Sequence, residues 1–430
     1  MSAFLFATQP ITGHVVPALS IVRTLVERGH DVRWYTGEKF RAKVEATGAE
    51  FVPYQQAYDY DDADYDAAFP GRSKLKGLGQ IKFDFLHLFA KQIEGQHRDL
   101  EAAVAQRPVD VTVGDPSVFA PFTLHERGGP PNAVYNITCL GVSGGDVAPF
   151  GLALLPNDSL FGRARVRALE FLAPNVIFKK VSDEIGRQCR SLGVNPRKFE
   201  GPLVSDYLYL QPTVEAFEYR RADLPPQLHY IGALLPDAPD DFTTPPWWPE
   251  VTAKERPVVL VTQGTVATKA DELVAPTLRG LAGDDVLVIA AGVADPAALG
   301  LGTVPTNARV ERFVPFKPLM PMVDVYVTNG GFGGVQFALS NGIPIVAGGK
   351  TEDKAEIGNR ITYSGCGIDL KTATPSPEQV GDAVRKVLAD PTYRERARRI
   401  QAELSAKNAP AEAASLLDRL AETKAPVLRS

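Results

Sequence analysis

Short apolar runs alternate with stretches of helical period along the first half of the chain. After the first run, helical spacing begins at Pro17, places Leu19, Val22 and Val26 on one face, and stops at Gly29. Proline favours the first turn of a helix and glycine its end. Strands that alternate with helices in this way predict βαβ units and a parallel sheet. The predicted strands are residues 3–8, 31–35, 109–113 and 133–137.

The same alternation starts again at Pro257 and continues through the second half of the chain. A helix is predicted around residues 272–281, between the first two strands of this series. Two such series predict an α/β fold of two doubly wound domains that face each other, with a ligand cleft at the carboxyl ends of both sheets. The predicted strands are residues 258–262, 286–291, 308–313 and 323–328.

A proline-rich segment separates the two series. Residues 236–249 contain five prolines and several acids without helical or strand period, which indicates an irregular linker rather than a surface loop of one domain. The end of the chain, rich in Ala, Arg, Glu and Leu over residues 391–420, is predicted to be helical. We expect an N-terminal domain at residues 1–235, a linker at 236–256, a C-terminal domain at 257–408, and a last helix at 409–430 that packs back toward the N-terminal domain.

Composition restricts the classes of function. A length of 430 residues, with 44% hydrophobic and 23% charged residues, is typical of globular proteins with two or three domains. The net charge of −5 gives no reason to expect nucleic acid or an anionic membrane as partner. The three cysteines form no disulfide or zinc pattern, the start lacks the features of a signal peptide, and no apolar run approaches the ~18–20 residues of a spanning helix. We therefore expect a cytoplasmic protein without stable membrane insertion.

A glycine-rich turn in the last third carries the first chemical signal. An apolar run leads into the turn at residues 330–334, helical spacing resumes at Val335 and Leu339, and another apolar run follows Gly342. This order of strand, glycine turn, helix and strand leaves backbone N–H groups free at a helix N-terminus, where they attract an anion such as a phosphate. Tight packing of a helix on a strand explains the same glycines equally well.

Five motifs together give the chain a family resemblance. It resembles the GT-B glycosyltransferases, which use nucleotide-diphospho-sugars and have two Rossmann-like domains, and among them the actinobacterial enzymes that glycosylate macrolides and other small molecules. The resemblance covers nearly the whole chain. Its most specific motifs are Gly13-His14, Gly264-Thr265, Phe313-Val-Pro315, the glycine turn at residues 328–338, and Thr351-Glu-Asp-Lys354.

The resemblance implies an inverting, metal-independent transfer of a hexose or deoxyhexose from a UDP- or TDP-sugar to a hydroxyl of a macrolide, polyketide or phenolic acceptor. His14, in a loop between a strand and a helix, is expected to be the general base. Asp115, at the end of another strand, is expected to hold the histidine and stabilise its imidazolium. From position alone, a histidine such as His14 is more often a cap or surface residue, and a turn or N-cap role stays open as an alternative for Asp115.

The nucleotide sugar is expected to bind the second domain as co-substrate, with no further cofactor. Two residues depart from the family pattern: Asn329 replaces a histidine that reaches a phosphate, and Phe337 replaces a glutamate that binds the ribose. Asparagine donates only a neutral hydrogen bond, and phenylalanine can only pack. The expected donor-binding residues are Gly264, Thr265, Val314, Asn329, Gly331, Gly333, Gly334, Val335, Gln336, Glu352, Asp353 and Lys354.

An apolar acceptor pocket is expected in the first domain. Residues 75–89 hold more apolar side chains than one core face requires, although a buried helix interface explains them as well. The expected acceptor-binding residues are Phe83, Phe85, Phe89 and Phe150. Paired acids recur among tyrosines at residues 58–69, but we expect an exposed loop there and no metal site.

Two other functions fit the same fold. One is a nucleotide-sugar 2-epimerase, which needs no pocket for a second substrate. The other is a non-catalytic binding or partner protein with an altered donor site, an alternative that Asn329 and Phe337 motivate. In each case we expect a monomer or homodimer that binds no nucleic acid.

Overall fold

The protein divides into two compact units. The computed structural model describes residues 1–75, 77–236, 243–264, 271–351 and 353–429. Unit 1 consists of Met1–Thr213, Arg220–Leu234 and Lys407–Ser430, and unit 2 of Val214–Tyr219 and Leu235–Ala406.

Unit 1 is built on a sheet of seven strands in the order β3-β2-β1-β4-β5-β6-β7. All of its strand pairs are parallel. The strands are β1 Ala3–Ala7, β2 Asp31–Thr36, β3 Glu50–Pro53, β4 Val111–Gly114, β5 Asn132–Tyr135, β6 Leu208–Gln211 and β7 Leu228–Tyr230.

Ten α-helices are described in unit 1: α1 Thr12–Val15, α2 Ala18–Glu27, α3 Arg41–Glu45, α4 Tyr65–Ala68, α5 Leu78–Asp84, α6 Ile93–Gln106, α7 Ala120–Glu126, α8 Leu160–Leu172, α9 Lys179–Ser191 and α17 Ala409–Thr423. Short 3₁₀ turns lie at Glu38–Phe40, Arg72–Lys74 and Ala90–Gln92, and π-turns at Phe85–Phe89 and Ala173–Ile177.

Unit 2 has a sheet of six strands in the order β10-β9-β8-β11-β12-β13, again entirely parallel. The strands are β8 Val258–Thr262, β9 Leu287–Ala291, β10 Ala308–Glu311, β11 Val325–Thr328, β12 Ile345–Ala347 and β13 Gly367–Asp369. The described helices are α10 Trp248–Ala253, α11 Val274–Gly280, α12 Phe316–Leu319, α13 Phe332–Ser340, α14 Lys354–Ser364, α15 Pro377–Ala389 and α16 Pro391–Ser405. Short 3₁₀ turns lie at Glu215–Phe217, Pro296–Leu299 and Met320–Met322.

Each sheet reverses its strand order beside its first strand. In unit 1, β1 lies between β2 and β4, so Ala7 is paired with Gly114 at the carboxyl ends. In unit 2, β8 lies between β9 and β11, so Thr262 is paired with Thr328. Ligands of open parallel sheets bind at such reversals, outside the carboxyl ends of the strands. The loops that follow β1, β4, β8 and β11 are therefore the places to look for a site.

The α/β prediction is confirmed, and the differences from the predicted elements have physical causes. The face that α2 buries is formed by Ile21, Val22 and Leu25, whereas Leu19 and Val26 are half-buried at its edges. The helix predicted at residues 391–420 is two helices, because the side chain of Asn408 caps a new helix by accepting the amide of Ala411.

The proline-rich segment is more ordered than a linker in its described part. Residues 237–242 lie outside the described residues, and α10 forms directly after them. Trp247 is buried in unit 2, and its indole N–H donates to Glu311 at 2.7 Å. Unit 2 also includes Val214–Tyr219, which the sequence places in the first domain. No helix in the described ranges is long and apolar enough to cross a membrane.

Candidate active site

The side chains of His14 and Asp115 meet at the reversal point of unit 1. His14 lies on the short helix α1 that follows β1, and Asp115 directly follows β4. Nδ1 of His14 is 3.1 Å from Oδ2 of Asp115, with the histidine side chain 13% exposed and the carboxylate fully buried. The backbone of α1 is held from the other side, because the hydroxyl of Tyr135 on β5 donates to the carbonyl of His14 at 2.6 Å. A carboxylate thus orients an imidazole that stays partly exposed to solvent.

Several hydrogen bonds keep Asp115 charged in spite of its burial. Burial by itself raises the pKa of Asp115, but attraction to His14 and hydrogen bonds from His14, Ser117 and the amide of Gln9 outweigh it and lower the pKa below its usual 3.8. The amides of Gln9 and Ser117 each donate to the carboxylate at 2.8 Å, and the hydroxyl of Ser117 donates to it as well. Oγ of Ser117 also lies 3.4 Å from Nδ1 of His14. The aspartate is therefore a fixed negative charge behind the histidine.

A row of aromatic rings connects His14 with a cavity in unit 1. The ring of Phe89 lies 6.1 Å from that of His14, and Phe85 lies 5.5 Å from Phe89. Phe85 in turn lies 4.4 Å from Phe199, which packs on Phe178 at 4.8 Å. Successive aromatic contacts thus run from the histidine to Phe199 and Phe178, which are buried.

The cavity has a volume of about 240 Å³. Its walls combine three phenylalanines with two carboxylates and small residues, and are formed by Ser143, Pro149, Phe150, Glu170, Ala173, Pro174, Phe178, Phe199, Glu200 and Gly201. Of the expected acceptor-binding residues, Phe150 is in this wall, Phe85 packs behind it, and Phe89 is beside His14. Phe83 does not line the cavity; it stacks on His87 at 4.2 Å and packs, like Phe89, against the cluster of Tyr60, Phe69 and Leu88.

Two matching turns form the carboxyl edge of the unit 2 sheet. The hydroxyl of Thr262, at the end of β8, accepts the amide of Gly264 at 3.2 Å, and the hydroxyl of Thr328, at the end of β11, accepts the amide of Gly330 at 3.2 Å. Gly264 and Gly330 have φ values of +94° and +88°, a region that side chains with Cβ rarely adopt. These glycines allow both strands to end in a tight turn at the same edge.

Asn329 joins the two turns. Its side-chain N–H donates to the carbonyl of Gln263, and its Oδ1 accepts the amide of Gly331 at 3.2 Å. The side chain is buried and lies against Gly264, where a Cβ would be 2.9 Å from Nδ2 of Asn329. The side chain of Asn329 therefore stabilises the glycine turn through these two hydrogen bonds, in the position where the family pattern has histidine. Thr265 lies outside the described residues.

The first turn of α13 exposes backbone N–H groups. The N-cap of α13 is Gly331, which has no side chain to bond these N–H groups. Gly333 is exposed, and a Cβ there would meet no atom within 4 Å. Gly334 instead packs against Tyr326, whose hydroxyl would lie 2.8 Å from a Cβ there. The amide of Val335 donates to the carbonyl of Gly331 at 3.1 Å as the first bond of the helix, so it is not one of the free N–H groups. The N–H groups that precede it are the ones that point beyond the helix end.

The loop after β12 lies beside this turn. A Cβ on Gly349 would be 1.9 Å from the carbonyl of Asn329, so the two loops touch through their backbones. Lys354 is buried against Gly330 and Gly349, and its ammonium donates to Thr351 at 3.1 Å. Asp353 is the N-cap of α14. Glu352 lies outside the described residues.

The remaining donor-site predictions fall on buried residues. Val314 is buried after β10. Phe337 packs edge-to-face on Phe316 at 5.8 Å, so an aromatic contact takes the place of the glutamate in the family pattern. Gln336 is buried, and neither polar atom of its amide has a hydrogen-bond partner among the described residues. Buried amides are normally bonded to protein, water or ligand.

Most residues of the acid-rich segment 58–69 are exposed, as its composition indicates, but three of its side chains are buried. Tyr60 and Phe69 are buried against each other at 5.0 Å. Asp62 is buried too; it accepts the amide of Thr12 at 2.7 Å and pairs with Lys39. Asp62 therefore fixes the start of α1, the helix that carries His14. The other acids of the segment also accept hydrogen bonds. Their donors are the backbone amide of Glu38 for Asp59, the ammonium of Lys39 and the amide of Ala63 for Asp61, the amide of Ala67 for Asp64, and the amide of Ser73 for Asp66.

Three residues of the histidine site gave no signal in the sequence. The pair is oriented by hydrogen bonds from Ser117, Gln9 and Tyr135. Most of these bonds join residues more than a hundred positions apart in the sequence; the bonds between Ser117 and Asp115 are local. Ser117 is the one a local rule could have found, because a serine two residues after an aspartate at a strand end commonly bonds back to it.

Comparisons with known proteins agree with this architecture. Residues 278–420 match the family described as "Erythromycin biosynthesis protein CIII-like, C-terminal domain". The chain is 40% identical over 419 residues to the 4'-demethylrebeccamycin synthase of Lentzea aerocolonigenes, covering 97% of this chain and 99% of that one. It is 34% identical over 439 residues to UDP-glycosyltransferase 2 of Phaeomoniella chlamydospora, covering 97% and 95%.

A solved structure shows the same fold. The crystal structure of CalG4, the calicheamicin glycosyltransferase, superposes with a TM-score of 0.75 at 23% identity, covering 99% of this chain and 100% of that one. The fold of two parallel sheets described above is thus shared with a glycosyltransferase.

Proposed function

Since the chain belongs to the GT-B family of natural-product glycosyltransferases, we propose that it is an inverting, metal-independent enzyme with His14 as its general base. The proposed donor is a UDP- or TDP-hexose or deoxyhexose, and the proposed acceptor is a hydroxyl of a hydrophobic, aromatic-bearing small molecule. The observation that carries the proposal is the 3.1 Å contact between His14 and the buried Asp115. The epimerase and non-catalytic alternatives are set aside, because the relatives are glycosyltransferases.

The histidine pair fits the role of a base. Asp115 faces Nδ1 of His14 and favours a proton there, which leaves Nε2 to accept the proton of the acceptor hydroxyl. As that proton moves, the acceptor oxygen forms a bond to the anomeric carbon of the sugar. The bond from this carbon to the phosphate oxygen breaks, and the nucleoside diphosphate leaves. One displacement from the opposite face inverts the anomeric centre. The buried carboxylate stabilises the imidazolium that forms.

The leaving group is proposed to bind unit 2. The N–H groups at the start of α13, including that of Gly333, would donate to the diphosphate, and the helix dipole would favour its charge. The open space beside Gly333 lets a phosphate approach the backbone. Asn329 is proposed to act indirectly, by holding Gly264 and Gly331 in place.

The acceptor is proposed to lie along the aromatic row of unit 1. Phe89 is beside the histidine, and the cavity lined by Phe150, Phe178 and Phe199 provides an apolar, ring-stacking environment. A planar aromatic part of the acceptor would fill the cavity while its hydroxyl reaches His14.

The test is the anomeric configuration of the product. The protein is incubated with α-linked UDP-glucose or TDP-glucose and a set of phenolic acceptors in the presence of a chelator, and the product is examined by proton NMR. The proposal predicts a β-glycoside and an unchanged rate with chelator. An α-glycoside would refute inversion, and loss of activity with chelator would refute metal independence.

A further inference from the structure

Helix α8 turns an apolar face to solvent. Its large exposed side chains are Leu160 (87% exposed), Phe161 (79%), Phe171 (67%) and Leu172 (39%), and Val176 (63%) continues the row in the π-turn that follows. With Ala164 and Ala168 between them, the residues of α8 itself cover an arc of about 120° around the helix. Monomeric globular proteins rarely expose so many large apolar side chains side by side.

Arginines border this apolar face on both sides. Arg163 and Arg167 are exposed one turn apart along one edge. Arg165 lies along the other edge, where it is half-buried and its guanidinium donates to the carbonyl of Leu155 at 3.5 Å. No ion pair is recorded for Arg163 or Arg167 among the described residues. The helix contains three arginines and a single acid, Glu170, which lies in the cavity wall on the inner side. The outer face is thus apolar in the middle and cationic at its margins, although the whole chain carries a charge of −5.

We propose that α8 docks the protein reversibly on an anionic lipid bilayer, lying in the plane of the interface. Leucine and phenylalanine would enter the boundary between headgroups and acyl chains, while the arginines extend their guanidinium groups to the lipid phosphates. Insertion across the bilayer is not part of this proposal, since no described helix is long and apolar enough to span it.

The arginines favour lipid over a second copy of the chain. In an isologous dimer formed through α8, the same cationic edges from both copies would approach each other, which costs energy unless acids separate them. An anionic surface instead neutralises both edges at once.

The position of α8 links the surface to the cavity. Its inner side and the π-turn after it supply Glu170, Ala173 and Pro174 to the cavity wall. If the cavity holds the acceptor, a step that rests on the proposed function, docking would place its wall next to a phase where apolar molecules concentrate. The docking itself requires no transfer activity, so its test is independent of the proposed function.

The test is sedimentation of the full chain with vesicles. Wild-type protein is predicted to bind vesicles that contain phosphatidylglycerol, to bind phosphatidylcholine vesicles much more weakly, and to dissociate as salt is raised. Phe161→Ser/Phe171→Ser and Arg163→Glu/Arg167→Glu are each predicted to lower the affinity at least roughly tenfold. All four positions are exposed, so unchanged thermal unfolding should confirm that these variants fold.

Matched controls change equivalent exposed residues elsewhere. Phe313→Ser removes another exposed phenylalanine, and Lys43→Glu/Arg399→Glu reverses two other exposed cations. These controls are expected to bind as the wild type does. The proposal is overturned if wild-type protein ignores anionic vesicles, or if the α8 variants bind like the controls. It is equally overturned if the apolar face instead forms a dimer that Phe161→Ser/Phe171→Ser abolishes and vesicles do not displace.

Discussion

At the scale of residues, the account depends on a charged aspartate buried behind a histidine. The pKa of Asp115 in the folded protein lies below its ordinary value, despite burial, because of His14 and the hydrogen bonds from Ser117 and Gln9. A carboxylate whose folded pKa is depressed adds stability above its unfolded pKa of about 3.9, and this stability is lost as pH falls through the folded pKa.

Asp115→Asn tests this directly. At pH 7 the variant is expected to lose about 1–3 kcal/mol of unfolding free energy, because the amide cannot satisfy all the donors that face the carboxylate. As pH falls below about 4, the wild type loses its advantage and the two proteins should converge. Urea unfolding between pH 7 and pH 3 measures the difference. A constant difference across this range would show that folding does not lower the pKa of Asp115.

The sequence predicted the members of this pair better than their surroundings. His14 and Asp115 follow strands that had clear apolar runs, so the ends of β1 and β4 could be located. Ser117 and Tyr135 could not be assigned, because their roles depend on which strands are neighbours. Asp62 was misjudged for a similar reason: an acidic, tyrosine-rich composition says nothing about a partner such as the amide of Thr12.

At the scale of elements, the proposed donor site depends on the N-terminus of α13. Gly333 is exposed, with open space where a Cβ would stand, so its glycine is not required by packing. A glycine in a helix costs roughly 0.5–1 kcal/mol relative to alanine. We propose that the approach of a ligand to the backbone accounts for the absence of a side chain at Gly333.

Gly333→Ala separates ligand binding from folding. The variant is expected to unfold at the same or a higher temperature than the wild type, while its affinity for UDP and TDP falls at least roughly tenfold because the methyl group fills the space of a phosphate. Isothermal titration calorimetry measures the affinity. Gly79→Ala is the matched control, since Gly79 is also exposed, is the second residue of its helix, and has no atom within 4 Å of its Cβ position. Equal nucleotide affinity in both variants would place the diphosphate elsewhere.

Strands were predictable where their sequence forms a long apolar run. β1, β8 and β9 read as continuous apolar runs, which is typical of parallel sheets. β3, β6 and β7 were missed because they are short and contain polar residues: Glu50 begins β3, Gln211 ends β6, and His229 lies in the middle of β7. Buried Gln211 is satisfied by the side chain of Asn136 and the carbonyl of Thr138, contacts that only the assembled sheet provides.

At the scale of the whole molecule, the chain passes between its two units more often than the sequence indicates. The short segment Val214–Tyr219 belongs to unit 2, where Glu218 forms a buried ion pair with Arg360 at 2.6 Å. The last residues return to unit 1, where Leu417 and Leu420 of α17 join the core that α2 also contributes to. Composition marks the proline-rich segment, and the sequence led us to expect the return of the last helix. The crossing at Val214–Tyr219 could not be foreseen, because it depends on single long-range contacts.

The central claim concerns the reaction of the whole enzyme: sugar transfer from a nucleotide donor that requires His14. The most direct measurement is the transfer rate of His14→Ala and wild type with the same saturating donor and acceptor, with nucleotide affinity measured in parallel. The account predicts a rate lower by roughly 10²–10⁴-fold in the variant, because the base is lost, with UDP or TDP affinity unchanged, because the proposed phosphate contacts lie in unit 2. A His14→Ala enzyme that transfers sugar at the wild-type rate would contradict the account.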